Sequence, residues 1–148
     1  MTARNAVQTY VEFRSDMFPA IDGEEQQVNP GLWGKRLADF LTGKLRGKGF
    51  ATEEPFAEDW GWIVPIVNQQ FPLWIGCGHY QEYPDGYFCF IEPHKPFVRK
   101  LLKKIDTRER VASLQQALDE VLGENRGIHS KRWWTHDEFN NPGNKNPR

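Results

Sequence analysis

An α+β domain is predicted, a two-layer sandwich with an antiparallel sheet of about five strands and two main helices on one of its faces. Three observations carry this expectation. An alternating segment opens the chain, two amphipathic segments with helical spacing lie near residues 30–48 and 106–123, and a run of short apolar segments broken by turn residues fills the interval between them. Helices segregated to one face of a meandering sheet are the economical way to bury such elements.

The first strand is read over Val7–Phe13, where Val7, Thr9, Val11 and Phe13 share a face and Gln8, Tyr10 and Glu12 share the other. The following stretch, SDMFPAIDGEEQQVNPG, has no period and carries four acids between Asp16 and Glu25 without a base. Loops of that length inside a small domain are uncommon and tend to be functional. Asn29-Pro30 reads as a helix start, with Asn as cap and Pro where its missing donor costs nothing. Trp33, Leu37, Phe40, Leu41 and Leu45 then mark the buried stripe, and Gly49 the stop.

Phe50–Pro55 reads as a short strand, followed by an acidic turn at Glu58-Asp59 and strands over Trp60–Val67, Phe71–Tyr80 and Tyr87–Glu92. Pro84-Asp85-Gly86 reads as a three-residue hairpin loop that places Tyr83 opposite Tyr87. Pro96–Lys104 shows a partly helical period through Phe97, Leu101, Leu102 and Ile105. Asp106 with Glu109 suggests a capping box for a second helix through Val111, Leu114, Leu118, Val121 and Leu122, ending at Gly123. Residues 1–139 therefore form a single domain and 140–148, NNPGNKNPR, a disordered tail.

The 148 residues carry 19 Lys+Arg against 20 Asp+Glu, so no global field draws nucleic acid or anionic membrane. No apolar run approaches the ~18–20 residues of a membrane span, and the amino terminus has no signal-peptide core. A cytoplasmic protein without membrane association is expected, and two cysteines without a disulfide framework agree with a reducing compartment.

Chemistry-bearing residues are sparse. On a strand Cys77 and His79 share a face, but no further ligand or orienting group stands at a recognisable spacing, so no metal and no cofactor is expected. The assumed hairpin puts the cysteines four ladder steps apart, on the order of 13 Å at ~3.3 Å per step, beyond the ~7 Å reach of a disulfide. Gly76 and Gly78 mark close approach of a ligand or of the first helix. Glu58 and Asp59 point to opposite faces if extended, while Trp60 and Trp62 share one face with Val64 and Ile66. An enzymatic site would be built from Glu58, Asp59, Cys77 and His79; the ordinary reading is a turn, a core cysteine and a strand-end histidine.

Charge is polarised locally. Lys95–Arg110 holds seven Lys/Arg and two acids. Arg132, Trp133 and Trp134 combine a cation with stacking platforms, which single-stranded nucleic acid or a protein interface could use. No phosphate loop, GxSxG elbow, HExxH or RNA-binding signature occurs, and nucleic-acid binding ranks below protein binding.

The segments NPGLWGKRLADFLTGKL, EDWGWIVPI and LWIGCGHY resemble a group of small uncharacterised bacterial proteins over residues 29–93. The resemblance implies bacterial origin and a shared fold, and no activity. By size and class the chain is comparable with immunity proteins that neutralise toxins, an analogy only. The leading expectation is a non-enzymatic protein-binding domain using the Asp16–Glu25 loop, Glu58, Asp59, Arg132, Trp133 and Trp134. The alternatives are the small enzyme and nucleic-acid binding through Lys95–Arg110.

Overall fold

The computed structural model describes residues 6–141. The chain forms β1 (Tyr10–Ser15), α1 (Lys35–Gly47), β2 (Phe56–Glu58), β3 (Gly61–Ile66), β4 (Leu73–His79), β5 (Gly86–Glu92), β6 (Phe97–Lys100), β7 (Lys103–Asp106), α2 (Arg108–Gly123), β8 (Ile128–Trp134) and α3 (His136–Asn140). Six strands make one antiparallel sheet in the order β2-β3-β4-β5-β1-β8, and β6-β7 form a separate hairpin. The main helices lie against one face, α1 over β3 and β4, α2 over β5 and β8, and they touch each other. The α+β expectation holds, with six strands rather than five. The expected tail falls, from residue 142 on, outside the described residues.

Alternation sets the two faces. Val11, Phe13, Val64, Ile66, Leu73, Ile75, Cys77, Tyr87, Cys89 and Ile91 point under the helices and are buried there with Leu37, Leu41, Leu45, Leu114, Leu118 and Leu122. The helix-free face carries Tyr10, Phe88, Phe90, Trp74 and, from the β2–β3 turn, Trp60, whose rings contact one another. Gly76 and Gly78 lie directly across the ladder from Phe90 and Phe88. A Cβ on Gly76 would sit 2.4 Å from the Phe90 ring, and one on Gly78 2.3 Å from the Phe88 ring. The close approach at these glycines is therefore not that of the first helix but of aromatic rings laid over bare backbone, the cross-strand pairing that stabilises sheet glycines.

Several local expectations are corrected. The first helix begins at Lys35 rather than after Asn29-Pro30, which forms a turn in which Leu32 N–H bonds Asn29 C=O. Its cap comes from Glu24, ten residues upstream. One carboxylate oxygen accepts the N–H groups of Gly34 and Lys35 at 2.8 Å and the indole N–H of Trp62 at 2.8 Å; the other accepts Ile21 N–H at 2.9 Å. The acidic loop thus contributes a buried structural anchor, 3% exposed. At the far end Phe50 N–H bonds Leu45 C=O and Gly49 N–H bonds Arg46 C=O, with Gly49 at φ 92°, a Schellman stop at the expected residue.

The second helix starts at Arg108 without a capping box; Asp106 instead accepts the Arg108 N–H. The capping box belongs to α3, where Thr135 and Glu138 exchange bonds. Residues 97–106 form a hairpin rather than a helical segment: Val98 and Ile105 pair across it and pack toward the core, while Leu101 and Leu102 turn in solvent at its tip. The β4–β5 connection contains two successive turns, Tyr80–Tyr83 and Tyr83–Gly86, not one three-residue loop. His79 consequently pairs with Tyr87, and Cys77 lies directly opposite Cys89 instead of four steps away.

Candidate interaction surface

The four residues of the enzymatic reading do not gather. Glu58 and Asp59 are exposed at the β2–β3 turn, whereas Cys77 and His79 are buried on the core face. The Cys77 thiol is pushed well above its usual range by burial and then by the neighbouring Cys89, the opposite of an activated nucleophile. His79 stacks on Trp33 with ring centroids 3.7 Å apart, and its Nδ1 and Nε2 lie 2.7 and 3.0 Å from the carbonyl oxygens of Gly31 and Pro84. It ties the loop before α1 to the β4–β5 connection and is buried, 2% exposed. Trp60 and Trp62 also part company. The two-residue turn at Asp59-Trp60 breaks the alternation, so Trp60 folds onto the helix-free face and Trp62 enters the core beside Glu24.

The aromatic-basic segment divides in the same way. Trp133 lies opposite Val11, packs toward the core and donates its indole N–H to Asp119 on α2 at 2.8 Å. Trp134, opposite Tyr10, is buried on the other face and donates to Glu12 at 2.8 Å. Arg132 lies over the Trp134 ring at 4.2 Å. Both indoles are thus committed internally, and the pair presents no joint platform. Arg132 also lies on the face opposite Arg110, whose guanidinium covers Phe50 under the helix layer. Arg110 and Arg132 therefore do not share one face of the sheet.

A cleft of about 920 Å³ opens between β1, the β4–β5 turn and β8, lined by Glu12, Arg14, Tyr80, Tyr83, Lys131 and Arg132 among others. Glu82 also lines it, and several of its other polar groups are paired. Glu12 accepts from Tyr80 and Trp134, Arg14 bonds Asp85 at 2.7 Å, and Lys131 bonds Asp119 at 2.7 Å. Burial, then the Glu12 carboxylate, pushes the Tyr80 hydroxyl far above its usual range, so it remains a neutral donor.

The surface that stands apart is the β6–β7 hairpin. Its base is fixed: Thr107 N–H bonds Pro96 C=O, the Thr107 hydroxyl donates to Lys95 C=O, and Val98 and Ile105 pack on the core. Its tip is the two-residue loop Leu101-Leu102, with these side chains 95% and 97% exposed. Leu101 has φ 59°, a left-handed conformation that hairpin loops usually assign to Gly, Asn or Asp. Below the tip Lys100 faces Lys103 and Arg99 faces Lys104, two like-charged cross-strand pairs. Among the described residues none of the four cations has an ion-pair partner; Arg99 and Lys104 lie over the Phe97 ring at 5.6 and 4.2 Å.

Three local rules are broken within six residues, and each break works against the free hairpin. Like charges directly opposite repel, a branched side chain in the left-handed region costs about 1–2 kcal/mol, and two leucines remain in water. Such concentrated violations mark functional sites. In the sequence the signal was RKLLKK, two apolar residues between four cations; its helical spacing masked a turn without turn residues.

No family model, curated protein or solved structure matches the chain. Among the described residues no helix is long and apolar enough to cross a membrane.

Proposed function

We propose that this chain is a non-enzymatic interaction domain that docks on an acidic protein partner through the tip of the β6–β7 hairpin. The observation that carries the reading is the pair of fully exposed leucines ringed by four cations that have no ion-pair partner among the described residues. Apolar anchors at the centre with charged residues around them are the usual anatomy of an energetic hot spot. Seating Leu101 and Leu102 in an apolar pocket would contribute roughly 1.5–3 kcal/mol each. Carboxylates around the pocket would relieve the Lys100–Lys103 and Arg99–Lys104 repulsion, a gain made only on binding. An immunity-like role is compatible with such a partner, and an enzymatic role finds no support in the dispersal of Glu58, Asp59, Cys77 and His79.

The test is affinity capture from the source organism with wild type and with Leu101→Ser/Leu102→Ser, followed by reconstitution from purified components. The expected result is one stoichiometric acidic partner, lost with the tip variant, whose affinity falls as salt is raised. Recovery of the same partner by both proteins would refute the assignment. Co-sedimentation with anionic vesicles that the same variant abolishes would transfer the hairpin to a lipid surface instead.

A further inference from the structure

We infer that Glu92, His94 and His136 form a binding site for a divalent first-row transition cation of the zinc class. The sheet topology brings these distant residues together. Phe90, Tyr10 and Trp134 form a row across β5, β1 and β8, and β5 and β8 run in the same direction because each is antiparallel to β1. Two residues beyond Phe90 and Trp134 come Glu92, the last residue of β5, and His136, the first residue of α3, and His94 follows Pro93. One donor atom from each of the three lies within 4.8 Å of the others.

A point equidistant from three atoms at that separation is at most about 2.8 Å from each (4.8 Å divided by √3). Zn–N and Zn–O bonds need about 2.0–2.2 Å, so binding draws the three donors inward and turns the two rings. The carboxylate is already fixed, its Oε1 accepting the His94 backbone N–H at 3.1 Å and lying 3.0 Å from His94 Nδ1. The two imidazoles lie face to face with centroids 3.4 Å apart and planes 3° apart. Full overlap is the arrangement aromatic rings disfavour, and two protonated rings at that distance would repel. Each imidazole binds a cation in its own ring plane, so a shared ion requires the stacked rings to splay until a nitrogen of each and a Glu92 oxygen converge on one point.

Two imidazoles and one carboxylate suit Zn²⁺, Co²⁺, Ni²⁺ or Cu²⁺ over Mg²⁺ or Ca²⁺, which prefer all-oxygen sets. Three protein ligands leave positions open to water. The three side chains are 23–30% exposed, so the cation can enter from solvent. His94 also borders a separate pocket of about 310 Å³ lined by Val7, Lys95, Pro96, Thr107 and Val111. This inference does not depend on the hairpin reading.

The experiment titrates tag-free, chelator-stripped protein with ZnCl₂ and CoCl₂ by calorimetry, following the visible absorption of bound Co²⁺. One saturable site per chain is expected, with proton release and weaker binding in acid, and no response to MgCl₂. His94→Ala and Glu92→Gln should each weaken binding at least tenfold, while His129→Ala, an exposed histidine outside the cluster, should not. Circular dichroism of the stripped variants confirms that they remain folded; if His94→Ala does not, Glu92→Gln decides alone. Absence of saturable one-to-one binding, or a His94→Ala affinity equal to wild type, would overturn the site.

Discussion

Replacing Glu24 by alanine removes the acceptor of four donors at once: the backbone N–H groups of Ile21, Gly34 and Lys35 and the indole N–H of Trp62. A buried donor left without a partner costs about 1–3 kcal/mol. Water admitted to the vacated space satisfies part of the deficit, and the four losses are not additive. The charge also faces the first turn of α1, an interaction worth up to ~2 kcal/mol in partly buried geometry. A net loss of about 3–5 kcal/mol is expected, as for a broken buried charged network. For a chain of this size that lowers the melting temperature by roughly 10 °C, at about 2–4 °C per kcal/mol.

Glu24→Gln can keep its oxygen toward Gly34, Lys35 and Trp62 but turns an amide N–H toward Ile21, so it should lose about half as much. Trp62→Phe removes one donor and replaces the buried indole by a smaller phenyl, for about 1–3 kcal/mol. Urea unfolding followed by fluorescence and circular dichroism measures each, and the Glu24/Trp62 double-mutant cycle isolates their coupling. A Glu24→Ala loss below about 1 kcal/mol at unchanged m-value would refute the view that this carboxylate organises the loop, the helix start and β3.

Other consequences are equally direct. Gly61 has φ 155° and a Cβ there would lie 2.3 Å from the Cys77 carbonyl oxygen, so Gly61→Ala should cost about 3 kcal/mol or more, whereas Gly43→Ala, with open space on α1, should gain about 0.5–1 kcal/mol; thermal unfolding compares the two. Leu101→Gly relieves the left-handed leucine and should raise stability or leave it unchanged while abolishing partner capture; a loss of stability with binding intact would contradict both halves. Burial pushes the Asp119 carboxyl up, but hydrogen bonds from Lys131 and Trp133 outweigh it and leave the group below its usual value. The resulting stability is present above the unfolded-state value of about 4 and is lost as pH falls through the lower native one, so Asp119→Asn should flatten the acid limb of urea midpoints measured from pH 6 to 3. Cys77 and Cys89 should resist a thiol-reactive dye in the native protein and react fully in denaturant; rapid native labelling would show that the core opens.

Periodicity in the sequence was sufficient for the two faces of the sheet and for α2. Leu73, Ile75, Cys77 and His79 fall on the buried side and Val111, Leu114, Leu118, Val121 and Leu122 line the inner face of the helix, because burial of alternate or 3.6-spaced side chains is a local consequence of strand and helix geometry. The Gly49 stop was equally legible, since a left-handed cap needs a residue without Cβ. Everything set by long-range partners was decided by the tertiary structure. Register between β4 and β5 depends on two turns and on Phe88 and Phe90 fitting over Gly78 and Gly76, and a shift of four residues preserves every face while moving Cys89 beside Cys77. Glu24 reads as one acid among four in a loop, yet the fold aims it at a helix start ten residues on. Glu92, His94 and His136 have no spacing that announces them; strand order alone carries residue 136 to residue 92. The DWGW step shows the division most simply: the glycine is required because backbone passes behind it, and the two tryptophans, adjacent in pattern, are sent by one two-residue turn to opposite faces of the sheet.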